Sequence, residues 1–253
     1  MSGKIKRTLD ILYPLITFAI ILGIWAIAAA VIGVEIILPS PGVAFKEFFS
    51  LLGEKIFYES LLSTFLRSLY SFLIAFATAF IAAVIGYLVK PFYKIFNPAV
   101  MVMRAVPTMS VILLCIIWLS SRTSPVVIAF LIVFPVIYSG TYSAISRVDE
   151  RLINMSKVYK VPLKSRLLKL YIPAIAPELL DSCKSAIGLN LKVLIAAEVL
   201  AATKNSLGNM MQLAKVSLDT ASLFAYTIAA IILSFLLEGG VYLIKKAVVR
   251  WPK

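Results

Sequence analysis

"TFLRSLYSFLIAFATAFIAAVIGYLV", residues 64–89, is apolar along its whole length apart from a few hydroxyl side chains and one charge, Arg67. The hydrocarbon core of a bilayer is about 30 Å thick and takes about 20 residues at about 1.5 Å each to cross. This stretch is long enough. It must cross as a helix, because an open sheet would leave backbone N–H and C=O groups unpaired in lipid. Ala75, Ala79 and Ala83 recur at every fourth position, as do Ala82 and Gly86. Such a stripe lets a neighbouring backbone come close, which holds helices together where lipid offers no hydrophobic drive.

Working outward, five further segments qualify, giving spans at about 11–33, 64–89, 97–120, 125–145, 174–201 and 222–244. The chain has 253 residues, 61% hydrophobic, against about half in a soluble domain. The expected fold is therefore all-α, a polytopic membrane protein of six transmembrane helices. With no internal repeat or low-complexity tract, residues 1–253 read as a single domain. Pro107 and Pro135 fall inside the third and fourth spans and are expected to kink them. Ser40–Pro41 and Ser124–Pro125 pair a capping hydroxyl with a proline suited to a first helical position. The first predicts a short amphipathic helix between spans one and two, and the second marks the start of span four. "AIAAA" at residues 26–30 resembles a signal-peptide cleavage site, but the apolar run continues through Val31 and Ile32, longer than a usual signal core.

The formal charge of +13 is explained by where the cations lie. With the N-terminus inside, the inner segments collect Lys4, Lys6, Arg7, Lys90, Lys94, Arg147, Arg151, Lys157, Lys160, Lys164, Arg166, Lys169, Lys245, Lys246, Arg250 and Lys253. The outer segments hold only Lys46, Lys55, Arg122, Lys204 and Lys215. Positive charge favours the cytoplasmic side, so both termini are placed in the cytoplasm of a cell-membrane protein. Nucleic acid is not needed to account for the charge.

Several chemistries find no support. There is no His, which removes the usual triads and His-containing metal sites. Cys115 and Cys183 sit in apolar surroundings as packing residues. "SGKIK" at residues 2–6 lacks the preceding Gly and the Ser/Thr of a phosphate-cradling loop. No metal site, bound cofactor or catalytic residue is expected, and any energy for work must come from another polypeptide or an ion gradient.

The longest inner segment, 146–173, is distinctive. Residues 154–173, "NMSKVYKVPLKSRLLKLYIP", carry five cations and no acid. Lys157, Lys160 and Lys164 follow one helical stripe, while Leu152, Met155, Tyr159, Leu163 and Leu167 follow another. Pro162 disfavours helix at Val161 and suits the start of a new one, so two short helices joined near Val161 are expected, with Pro173 ending the second. Composition leaves three readings open: a solvated loop, a helix pair on anionic lipid, or a docking surface for a cytoplasmic partner.

The segment resembles the "EAA" loop of ABC importer permeases, whose frame runs Glu-Ala-Ala, three residues, Gly, nine residues, Ile, one residue, Leu-Pro. On that frame Asn154, Met155 and Ser156 replace Glu-Ala-Ala, Lys160 takes the Gly position, Leu170 and Ile172 the apolar positions, and Pro173 the Pro. Other motifs follow in the same order: "LPSPG", "STFLRSLYSF", "RAVPTMSVILLCIIWL", "FPVIYSGTYSAISRVDERL", "LIAAEVLA", "SLGNMM" and the terminal "RW". Together they are similar to the branch that imports nitrate, sulfonates, taurine and related small solutes. The resemblance implies a type I importer permease fold and a permease subunit that catalyses no covalent chemistry. It implies, as partners, a cytoplasmic ABC ATPase dimer that binds ATP and Mg, an extracytoplasmic substrate-binding protein and a second permease copy. It also implies that Asn154, Met155, Ser156, Lys157, Val158, Tyr159, Lys160, Val161 and Pro162, with Pro173, couple the chain to the ATPase. The alternative is an ion-coupled secondary transporter.

Lys192, Glu198 and Glu238 fall within spans five and six. Ionised groups at that depth are costly and face a cavity or each other, so these three are the candidates for the translocation pathway. Lys192 would offer a positive point to an anionic solute. Glu198 coincides with the Glu of the family pattern.

Overall fold

The computed structural model describes residues 3–249, and every regular element among them is helical. Arg250, Trp251 and Lys253, counted above, lie outside the described residues, as does Ser2. The elements are α1 (Gly3–Ile32), α2 (Pro41–Leu51), α3 (Lys55–Leu88), α4 (Lys90–Ala105), α5 (Thr108–Trp118), α6 (Ser124–Ser146), α7 (Glu150–Val158) and α8 (Leu163–Arg166). A π-helical turn, Leu167–Tyr171, leads into α9 (Ile172–Leu200), followed by α10 (Leu207–Val216) and α11 (Thr220–Val248).

Among the described residues, four helices are long and apolar enough to cross a membrane alone: α1, α3, α6 and α11. The expected third span, 97–120, is not one helix. It is divided between α4 and α5, which together are apolar enough to cross but bend by 96° at the break. Val106 there is extended (φ −66°, ψ 129°) and Pro107 follows, as a proline's clash with the preceding residue dictates. The expected fifth span corresponds to α9, long enough at 29 residues but carrying Glu178, Asp181, Lys184, Lys192 and Glu198. By length and apolarity the count is thus four, or five with the bent pair, against the six expected.

The core lies where α6 packs between α3 and α9. Ala75, Ala79 and Ala83 are fully buried there, in one cluster with Val133, Ile137, Tyr138, Ala186 and Leu191. A Cβ on Gly86 would stand 3.1 Å from Tyr138 Oη, so the small-residue stripe marks a close approach. On the other side of α6, Gly140 meets α9: a Cβ there would overlap Ser182 Oγ and stand 2.7 Å from Ser182 Cβ. Ser40 caps α2, accepting from Val43 N at 3.4 Å, and α2 braces α11 through a cluster with Leu51, Phe57, Leu207 and Tyr226. Helix α6 starts one residue before the expected Ser124 cap would allow. Ser120 O accepts from Thr123 N (3.1 Å) and Ser124 N (2.9 Å), so the turn closes early and Ser124 becomes the first helical residue. Helix α1 stands apart, its apolar side chains largely exposed as on a lipid-facing span. It is tied down by Trp25, which donates to Pro39 O at 3.0 Å and stacks on Phe224 at 5.1 Å.

Candidate functional site

The basic segment folds as the helix pair that Pro162 suggests. Asp149 opens α7 by accepting from Arg151 N at 2.8 Å. At the other end Lys160 N reaches Lys157 O (2.9 Å) and Val161 N reaches Ser156 O (3.0 Å). This pair of bonds is a Schellman ending, and it forces Lys160 into the left-handed region at φ 51°. Pro162 then precedes α8. The second helix does not end at Pro173 as expected. It is a single turn that passes through the π turn, where Ile172 N bonds Leu167 O, into α9. Pro173 follows the π turn directly, in the first turn of α9, and because it has no N–H it makes no backbone bond back to that turn.

The two faces of α7 have different fates. Ile153 is buried with Ala144, Ile145, Val148 and Ile175, seating the helix on the adjoining ends of α6 and α9. Met155, Val158 and Tyr159 are 54%, 78% and 75% exposed. A recess of about 350 Å³ separates α7 from the π turn, lined by Met155, Tyr159, Val161 and Leu170 among others. Asn154, Lys157 and Lys160 are exposed, whereas Ser156 is buried with its hydroxyl bonded to Ile153 O at 2.6 Å.

The three intramembrane candidates separate into two places. Glu198 is fully buried and every part of its carboxylate is engaged. Oε1 accepts from Arg67 Nη1 at 3.0 Å, while Oε2 accepts from Thr64 Oγ1 at 2.9 Å and Gly208 N at 3.3 Å. Leu207 N in turn donates to Thr64 Oγ1 at 2.9 Å. One carboxylate thus ties α3, α9 and the start of α10 together. Only glycine fits at 208, since a Cβ there would overlap Glu198 Cβ and stand 2.8 Å from Ile195 O and Val199 N. Beside this knot, Asn190 bridges α9 to α3 through Ser68 O (2.8 Å) and Ser71 Oγ (3.1 Å).

Lys192 and Glu238 instead line one recess of about 450 Å³ between α9 and α11, with Ile195, Thr227, Ile231 and Phe235. Ser234 Oγ donates to Glu238 Oε1 at 3.3 Å, and that carboxylate lies over Gly188, where a Cβ would come within 2.6 Å of it. Gly188 is one turn from Lys192, about 6 Å along the axis. Among the described residues Lys192 and Glu238 do not close into an ion pair within 4 Å.

The matched family model is described as "Binding-protein-dependent transport system inner membrane component" and spans residues 76–250. The chain belongs to this family of permeases. It is 25% identical over 242 residues to the taurine transport system permease protein TauC of Escherichia coli (strain K12), covering 93% of this chain and 88% of that one. It is 23% identical over 236 residues to the putative aliphatic sulfonates transport permease protein SsuC of Bacillus subtilis (strain 168), covering 92% and 85%. Its fold matches a chain of the inward-facing MetNI methionine ABC transporter at a TM-score of 0.66, with 16% identity over 76% of this chain and 95% of that one. The permease is therefore a membrane-spanning transport subunit of an ABC importer and not an enzyme, with ATP hydrolysis on a separate subunit. Membership favours a binding-protein-dependent importer over the ion-coupled carrier.

Sequence reasoning singled out Glu198 but not its partners Thr64, Arg67 and Gly208. Arg67 gave a signal, as the single charge in the stretch 64–89: a cation placed there needs a counter-charge from elsewhere. Gly208 is visible in "SLGNMM", but a glycine at the start of a helix does not reveal which backbone it meets.

Proposed function

We propose that this permease works as a pair of identical copies in the cell membrane, both termini cytoplasmic and residues 1–253 forming one domain. Each copy stands on an ABC ATPase that binds ATP and Mg, and an extracytoplasmic binding protein delivers a small solute with a sulfonate-like anionic group. The names of the taurine and aliphatic-sulfonate relatives support that solute class.

The observation that carries the reading is the two-faced α7. Ile153 seats it on α6 and α9 while Met155, Val158 and Tyr159 stand free at the rim, with Asn154, Lys157 and Lys160 beside them. An apolar cleft edged by acids on the ATPase would take the three side chains and pair with the lysines. A push on α7 then passes through Ile153 to two long helices. ATP-driven closure of the ATPases would rock the two bundles between outward-open and inward-open states. Buried Ser156, Val161–Pro162 and Pro173 set the shape of this lever.

In the pathway, Lys192 and Glu238 meet the solute in the α9–α11 recess. Their charge is costly against lipid, so this face turns toward the second copy. Glu198 serves the pathway indirectly, as the latch that fixes α3 to α9.

The test replaces Val158 and Tyr159 with Glu. Both side chains are exposed, so thermal unfolding should match wild type, while co-purification of the ATPase and ATP-dependent uptake into proteoliposomes fall at least tenfold. Uptake at the wild-type rate by this variant would refute the coupling assignment.

A further inference from the structure

At the end of the bundle opposite the basic loop, where α6 begins and α9 finishes, a second recess of about 450 Å³ opens between three segments. Its lining contrasts with that of the α9–α11 recess, where Leu191, Ile195, Ile231 and Phe235 stand among the charges: here every residue is polar or cationic, with Arg67, Arg122 and Lys204 joined by hydroxyls and the Asn205 amide. The volume lies within the range of about 300–1,000 Å³ found for small-molecule sites.

The recess is built and not merely bordered. Arg67 is held from behind, Nη1 on Glu198 Oε1 at 3.0 Å and Nη2 on Lys204 O at 3.4 Å, with its side chain 17% exposed. A guanidinium has five N–H donors, so donors remain for the recess. The Glu198 carboxylate that fixes it is fully buried and also satisfied by Thr64 and Gly208. Its charge is therefore spent inside the bundle.

The two walls that bring the other cations are fastened to each other, Thr203 Oγ1 donating to Ser121 O at 2.7 Å. Left-handed backbone at Ala202 (φ 46°) and Asn205 (φ 50°) turns the 201–206 segment, and Lys204 and Arg122 both line the opening. Neither segment 117–127 nor 201–210 contains an acid. Among the described residues neither Arg122 nor Lys204 has a carboxylate within 4 Å. Fixed walls that hold two unpaired cations and a preset guanidinium around polar donors suit an anion with several oxygens in a tetrahedral array.

We propose that this recess receives the tetrahedral oxyanion end of the solute, a sulfonate, at the mouth of the permease before the solute reaches Lys192. This inference rests on the sulfonate reading above and adds a site to it. A lipid phosphate presents the same chemistry, so the experiment separates the two.

The full-length permease, alone and with its ATPase, is placed in phosphatidylcholine nanodiscs and titrated with methanesulfonate by calorimetry. Methanesulfonamide, the neutral analogue, is the control. Wild type should bind methanesulfonate in both preparations and not the sulfonamide. Arg122→Gln with Lys204→Gln should weaken binding at least tenfold, and Arg122→Lys alone less than the double variant. Both positions are exposed, and thermal unfolding of each variant verifies folding.

No methanesulfonate binding, equal binding of the sulfonamide, or unchanged affinity in the folded double variant would overturn the proposal. So would displacement of methanesulfonate by about equimolar phosphatidylglycerol in the discs, which would assign the recess to lipid. Methanesulfonate binding by a permease that captures no ATPase would sink the coupling reading and support this one. ATPase capture without methanesulfonate binding would do the reverse.

Discussion

Replacing Glu198 with Ala tests whether one ion pair holds the centre of the bundle. Arg67 Nη1 loses its partner at 3.0 Å, Thr64 Oγ1 an acceptor at 2.9 Å and Gly208 N an acceptor at 3.3 Å. A hydrogen bond to a charged group contributes about 1.5–3 kcal/mol, and removing one partner of a buried ion pair costs about 3–5 kcal/mol. The two figures describe the same loss and do not add. Arg67 borders the polar recess with 17% of its side chain exposed, so water can reach the abandoned cation. That places the cost at the low end, about 3 kcal/mol. At about 2–4 °C per kcal/mol for a chain near this size, Tm should fall by about 6–12 °C. Glu198→Gln keeps the shape and an acceptor for Thr64 and Gly208, so its fall should be about half as large. Combining Arg67→Met with Glu198→Leu removes both charges and should recover much of the loss, since a buried pair is close to neutral against apolar isosteres. The assay is scanning fluorimetry of the permease in lipid nanodiscs. Glu198→Ala unfolding within about 2 °C of wild type, or a double variant less stable than Glu198→Ala, would refute the latch.

The glycines separate by what a Cβ would strike. Gly208→Ala and Gly140→Ala meet backbone or close-packed atoms and should each cost about 1–3 kcal/mol, read as lowered Tm. Gly188→Ala meets the far end of the Glu238 side chain, which can swing away. It should leave Tm nearly unchanged while altering uptake through the recess. Lys192→Ala should reduce uptake of an anionic solute with normal expression and stability, and unchanged uptake would remove Lys192 from the pathway. Lys160→Gly relieves a left-handed lysine and should stabilise the chain by about 1 kcal/mol, measured by thermal unfolding.

What was legible in the sequence follows from what lipid imposes. An unbroken apolar run is a requirement for α1, α3, α6 and α11, so composition reveals them directly. The same signal has no direction, which is why 97–120 read as one span although the chain turns by 96° inside it. Pro107 gave notice of a break but not of its size, which depends on how α4 and α5 pack. Helix ends were harder. α7, α9 and α10 finish on Lys160, Ala202 and Leu218 in the left-handed region, none the glycine that usually marks such an end. The knot at Glu198 was half legible: each charge stood out in its own apolar run, but Arg67 and Glu198 are 131 residues apart, and no local pattern pairs them.

Lys160 shows what kind of information survived in the basic segment. The family frame has Gly at this position, and the frame fits here by spacing while most of its letters differ. The structure keeps the conformation for which glycine is suited, φ 51° closed by the Ser156 and Lys157 carbonyls, although a lysine bears it at a cost of about 1–2 kcal/mol. The turn is what fixes the angle between α7 and α8, and so decides that Ile153 points into the bundle while Val158 and Tyr159 point out. The lysine puts a cation at the rim of the exposed apolar face, beside the contact proposed with the ATPase. If it exists, Lys160→Gly should gain stability in the isolated permease and lose affinity for the ATPase, whereas a purely structural turn would gain the first without losing the second.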